Sequence, residues 1–324
     1  GLFWAQAVAL SVTAVVSGYS RGYDAWSPFS LFSFSLLMFG IFFVTLTSAL
    51  HVALSLGGAQ RARWSPLLAS CITLLFFAIW LATGVPAWRL HNPGETPAGW
   101  LYRTTMTPAH QRIVFVHWPI ALTLGLLVIH AVCRQSAGTS SAEARRLTVM
   151  HRKTFHVLAV VLFVPPVMVG RAGFLGFAQL AASLLFIVVE AFRICDAPVI
   201  AAALNAFVSR YLDNREDTSR GDLVLTHLYL LVGCALPVWL EAPGQDAALW
   251  CTPWAIVRLA SGVLLVGVGD ACAAVVGVNV GRTRWPGSHR TLEGSSGFVV
   301  GVLLAAGTLM WFATPCGLDS GQDS

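Results

Sequence analysis

Nine apolar runs divide this chain, near residues 1–17, 28–57, 66–88, 113–133, 155–170, 172–192, 223–240, 255–280 and 297–315. Most are long enough to cross a hydrocarbon core, which takes about 20 helical residues. A backbone in lipid has no water to bond to, so runs of this kind read as helices that satisfy their own N–H and C=O groups. With 56% hydrophobic and only 11% charged residues, the chain lies outside the range of soluble domains. The polar stretches at 89–112, 134–154 and 193–222 are each too short to bury a core. The expected fold is an all-α, polytopic integral membrane helical bundle with about nine or more transmembrane helices.

Charge gives that bundle a direction. If each run crosses once, the loops at 58–65, 134–154, 193–222 and 281–296 share one side, with fourteen Lys and Arg residues. The loops at 18–27, 89–112, 171 and 241–248 share the other, with five. The positive-inside rule makes the first side cytosolic. The formal net charge of +5 is then a feature of topology that suits anionic headgroups, and it does not point to nucleic acid. Residues 1–133 read as a transmembrane scaffold and 145–316 as the motif-bearing region, with 134–143 as a flexible connector. The chain begins without Met and reads as part of a longer protein.

Chemistry concentrates between Gly269 and Gly297, in GDACAAVVGVNVGRTRWPGSHRTLEGSSG. Gly269, Ala273, Gly277 and Gly281 recur every fourth residue and predict a stripe along which a neighbouring helix can approach closely. Asp270 lies beside that stripe. A charge at bilayer depth costs at least about 2.5 kcal/mol, so such an Asp faces a protein interior, an aqueous cavity or a cation, or else pairs with an Arg between helices. The loop that follows joins Arg282, Arg284, His289 and Arg290 to Gly287, Ser288, Thr291 and Gly294, whose donors suit phosphate oxygens. A second basic cluster, HRKTFH, opens the fifth run with Lys153, the chain's single Lys, and His156. It serves either as a helix-end anchor or as part of the same site. Pro165 and Pro166 then break or kink that run.

Other features are plainer. Glu190 is expected to pair with Arg193 three positions on. Asp213, Glu216, Asp217 and Asp222 alternate with arginines as in a solvated loop. The lone His227 reads as a packing residue. The seven cysteines are scattered without ligand spacing, so neither a zinc site nor a disulfide framework is expected. Walker A, protein-kinase and GxSxG signatures are absent, so a kinase on this chain binds its nucleotide by other means.

Together HRKTFHVLAV, VSRYLDNREDTSRGDLVLTHLYLLVGCALPVWL and GVGDACAAVVGVNVGRTRWPGSHRTLEGS resemble the dolichol kinase family of polyprenol kinases, over roughly residues 150 to 300. RK-x-x-H and the GD helix are also similar to phytol kinases and CTP-dependent diacylglycerol kinases. RWPG-x-x-x-T-x-EG and LTH-x-YLL favour dolichol. The resemblance implies a multi-pass enzyme of the endoplasmic reticulum membrane that moves the γ-phosphate of CTP to dolichol, supplying dolichyl phosphate for N-glycosylation. It also implies that the loop 281–296 binds CTP. His289-Arg290 stands where members commonly carry Lys-Lys, and members usually continue through further hydrophobic helices.

On that reading Asp270 holds Mg²⁺ or another divalent cation against the phosphates. Arg282, Arg284 and Arg290 hold phosphate oxygens, Lys153 adds a point charge, and His156 or Glu293 is the base for the dolichol hydroxyl. The competing readings are another CTP-dependent lipid kinase, a cytidylyltransferase, and a transporter or scaffold in which Asp270 and the arginines form a packing network.

Overall fold

The computed structural model describes residues 28–84, 86–136, 141–209, 226–241 and 252–313. Its principal helices are α1 (Pro28–Ser55), α2 (Ser65–Thr83), α3 (Pro97–Thr105), α4 (Trp118–Ser136), α5 (Ser141–Met168), α6 (Ala172–Ile194), α7 (Ala201–Ser209), α8 (Thr226–Glu241), α9 (Pro253–Gly262), α10 (Asp270–Asn279) and α11 (Leu292–Phe312). Two π-helical segments, Arg112–His117 and Val263–Gly269, run directly into α4 and α10. Extended pairing among the described residues is limited to one antiparallel bridge, Arg284 to Thr291. The all-α expectation therefore holds.

The described residues do not confirm nine or more spans. Among the described residues six stretches are long and apolar enough to cross a bilayer: Leu31–Ser55, Ala59–Leu90, Pro108–Ala131, Ala172–Ile194, Pro253–Asn279 and Leu292–Phe312. The runs at 155–170 and 223–240 become the shorter apolar helices Lys153–Met168 and Leu228–Glu241. The first is the apolar part of α5, which runs on from Ser141, and the second is most of α8. The run at 1–17 lies outside the described residues.

The chain forms two compact units, each drawing on two stretches of sequence: Gly1–Thr107 with Phe177–Tyr229, and Pro108–Gly176 with Leu230–Ser324. The first is built on aromatic packing. Phe32, Trp80, Trp88 and Trp100 are buried together, most pairs meeting edge to face at 5.0–6.3 Å. That is the geometry the ring quadrupole favours. Trp88 Nε1 donates to Glu95 O at 2.8 Å, and Thr96 Oγ1 caps α3 by accepting from Gly99 N. On α6, Arg193 forks onto Glu190 at 2.6 and 2.8 Å, the pairing expected from their spacing. A shielded guanidinium is tolerable only with its charge answered in this way.

The second unit is held together by close backbone approaches. A Cβ on Gly262 would stand 2.3 Å from Gly233 O and 2.8 Å from Cys234 O, so α9 crosses α8 in direct main-chain contact. Gly269, Gly297 and Gly301 bring α10 and its π-helical lead onto α11, against Phe298, Val276 and Cys272. Gly277 and Gly281 both face Thr291. The predicted small-residue stripe is thus the α10–α11 interface. Lipid tails give helices no hydrophobic reason to associate, so this close van der Waals contact supplies much of the adhesion.

Gly262→Ala should lower the midpoint of thermal unfolding in detergent, by about 1–3 kcal/mol of stability, because backbone cannot yield to the new methyl. Gly307→Ala, where no atom lies within 4 Å of the added Cβ, should be neutral or mildly stabilising. Equal losses at the two positions would remove the close-approach account.

Candidate functional site

Lys153 and His156 lie three residues apart and so share a face of α5. Asp270 begins α10 immediately after the π-helical segment Val263–Gly269. Two features bring them together. The wider π turn resets the helical phase just before Asp270, a device common at functional sites. Gly267 also lets the two helices close up, since its Cβ would sit 2.9 Å from Val160 Cγ2 and 3.5 Å from His156 O.

The result is one carboxylate with two basic partners from a segment 117 residues away. Lys153 Nζ donates to Asp270 Oδ2, and His156 Nε2 lies 2.9 Å from the same oxygen. The side chain of Lys153 is 11% exposed and that of His156 14%, but Asp270 is 51% exposed. The acid therefore keeps an open side while its partners are shielded. Asp270 lies nine residues before Asn279, about 13 Å along the helix axis from the start of the basic loop.

The loop is fixed by its own bonds. Trp285 N donates to Arg290 O at 3.0 Å and Leu292 N to Thr283 O at 2.8 Å, which makes 283–292 a hairpin. Gly287 takes φ +68° at its tip, a conformation that favours glycine. Ser288 Oγ accepts from Arg290 N, and Thr291 Oγ1 caps α11 by accepting from Gly294 N at 3.2 Å. Glu293 reaches back so that both its oxygens accept from Thr283 N, at 3.0 and 3.2 Å. Arg282, Arg284, His289 and Arg290 are exposed and form no ion pair among the described residues.

Of the residues read from sequence, the structure gathers Lys153, His156 and Asp270 into one cluster. Arg282, Arg284, Gly287, Ser288, His289, Arg290, Thr291, Glu293 and Gly294 make a second group, the loop and its junction with α11. The bond of Gly294 N to Thr291 and that of Thr283 N to Glu293 shape that loop. Asp213, Glu216, Asp217 and Asp222 lie outside the described residues, as does the side chain of His227. Sequence reasoning passed over Trp285, whose indole N–H donates to Ser295 Oγ at 3.0 Å. A Trp between Arg284 and Pro286 in a polar loop was the available signal.

No cluster of three or more His, Cys, Asp or Glu residues among the described residues is arranged to hold a metal. Mg²⁺ does not require one, because it keeps several waters and binds through one or two carboxylates plus substrate phosphates. A half-exposed Asp270, with only one oxygen taken up by Lys153 and His156, fits that mode.

No family model and no solved structure matches the chain. Among curated proteins it is 31% identical to dolichol kinase of Homo sapiens over 292 residues, covering 89% of this chain and 49% of the relative. It is 28% identical to dolichol kinase of Schizosaccharomyces pombe over 250 residues, 76% of this chain and 48% of the relative. With dolichol kinase of Arabidopsis thaliana the identity is 28% over 236 residues, 72% and 37%. The similarity to the human protein extends well beyond the motif-bearing residues 150 to 300. By sequence the chain belongs with the dolichol kinases, spanning about half the length or less of these curated relatives.

Proposed function

We propose that this chain carries the catalytic centre of a CTP-dependent dolichol kinase, and that the centre lies in the second unit. On this reading the γ-phosphate of CTP passes to dolichol at the cytosolic face of the endoplasmic reticulum membrane, for protein N-glycosylation. The observation that supports it most is the convergence of Lys153 and His156 on Asp270, in a chain whose relatives are named dolichol kinases.

Phosphoryl transfer asks a protein for charge neutralisation and in-line placement more than for covalent chemistry. Arg282, Arg284 and Arg290 offer planar forks to phosphate oxygens, with His289 beside them. Lys153, held by Asp270, contributes a fixed positive charge. Asp270 is the residue that would hold Mg²⁺, which when bound offsets phosphate charge. His156 is the base. Its ring, set against Asp270 through Nε2, takes the hydroxyl proton of dolichol. The dolichol oxygen bonds to the γ-phosphorus as the bond to the β–γ bridging oxygen breaks, and CDP leaves. Glu293 is assigned to the loop rather than to proton transfer, because both its oxygens are engaged by Thr283 N.

Drawing an isoprenoid tail out of lipid into water would cost about 0.8 kcal/mol per CH₂. A centre beneath the membrane face that takes only the hydroxyl end avoids this.

Asp270→Asn should lower transfer by at least about a hundredfold, the scale for loss of a transition-state electrostatic group. It also leaves Lys153 shielded and without its carboxylate, so protein yield should fall. The double variant Lys153→Met with Asp270→Asn should recover yield but not activity. If activity returned with yield, Asp270 would be a packing residue only. Single Ala replacements of Arg282, Arg284 and Arg290 should raise the apparent KM for CTP more than that for dolichol, with roughly a tenfold to hundredfold loss in kcat/KM, and Lys should rescue partly. Unchanged CTP kinetics for all three would count against the nucleotide loop. Cysteines introduced at exposed Val199 and His289 should both react with an impermeant maleimide from the cytosolic side; reaction of either from the lumen alone would break the proposed topology.

A further inference from the structure

Trp285 is the loop's one large aromatic side chain, and the roles assigned above leave it unused. The residue is 46% exposed, yet it is fixed at three points. Its backbone N–H donates to Arg290 O, its carbonyl accepts from Ser288 N at 3.1 Å, and its indole N–H donates to Ser295 Oγ. Ser295 belongs to the first turn of α11, so the ring is tied to the helix as well as to the hairpin. A flexible loop could fold such a ring away from water. This one holds it open, in a segment that also bears exposed Arg282, Arg284, His289 and Arg290.

A rigid aromatic face beside cationic forks has the two parts that a nucleotide requires, since bases stack on aromatic rings whatever their identity and phosphates bind arginine. We infer that Trp285 is the stacking surface for the nucleobase of the triphosphate donor, with the arginines of the same loop on its phosphates. This rests on the nucleotide reading proposed above. A Trp serving as a membrane anchor sinks its ring into the lipid boundary and turns its N–H to water. Here the N–H is taken up by the Ser295 hydroxyl of the same chain.

The experiment uses the full-length protein in membranes and three measurements: KM for CTP, KM for dolichol, and the inhibition constant of inorganic tripolyphosphate, which has phosphates but no base. Trp285→Ala should raise KM for CTP about tenfold and leave the tripolyphosphate constant and the dolichol KM unchanged. Trp285→Phe, which keeps a ring, should stay near the unsubstituted protein, and Ser295→Ala, which frees the ring without removing it, should fall between. If Trp285→Ala raises the CTP KM and the tripolyphosphate constant in proportion, the ring merely shapes the loop and the inference is overturned. It is overturned equally if only the dolichol KM or the protein yield changes, which marks a lipid anchor. Failure of tripolyphosphate to compete with CTP in the unsubstituted protein would instead remove the phosphate-binding loop, and the stacking role with it.

Discussion

The second unit is organised around a single carboxylate. Asp270 sits on a helix whose other residues are almost all apolar, and its charge is tolerable there because Lys153 and His156 meet it from α5. Bringing an ammonium and an imidazole onto one oxygen demands that two helices approach closely at one height. Glycine supplies that approach at Gly267, against Val160 and the His156 carbonyl. The charge cluster and the glycines around it are therefore one construction: the first needs the second to form, and the second would bring only apolar surfaces together without the first.

The same logic extends along the helix. Gly269, Gly277 and Gly281 on one side and Gly294, Gly297 and Gly301 on the other let α10 and α11 share a narrow seam. The hairpin between them is drawn back over that seam by the Thr291 cap and by the grip of Glu293 on Thr283. Its basic side chains are consequently displayed by a scaffold whose polar backbone groups bond to one another. A triphosphate arriving there would meet cations whose supporting loop is already ordered, which keeps the entropy lost on binding small.

Much of this was legible from residues alone. The four-residue spacing of small side chains predicted the α10–α11 seam, and a three-residue spacing predicted the Glu190–Arg193 pair. Long apolar runs announced helices because a single segment in lipid satisfies its own backbone groups only as a helix. What sequence could not give was distance across the chain. Lys153 looked equally like a helix-end anchor, and only the fold carries it to Asp270. Glu293 looked like a free acid because the backbone amide that engages it belongs to Thr283, ten residues earlier, and is invisible in a list of side chains.

The π-helical segment Val263–Gly269 carries one further implication. A π turn accommodates an extra residue without breaking the helix, so the helix before it and the helix after it are out of phase. Everything upstream, including the contact of Gly262 with α8, is set by one register, and Asp270 with the seam beyond it by another. The number of residues between Gly262 and Asp270 is thereby as much a part of the site as the carboxylate itself. A chain that lost one of them could keep every side chain named here, remain helical throughout, and still turn its acid toward the wrong neighbour.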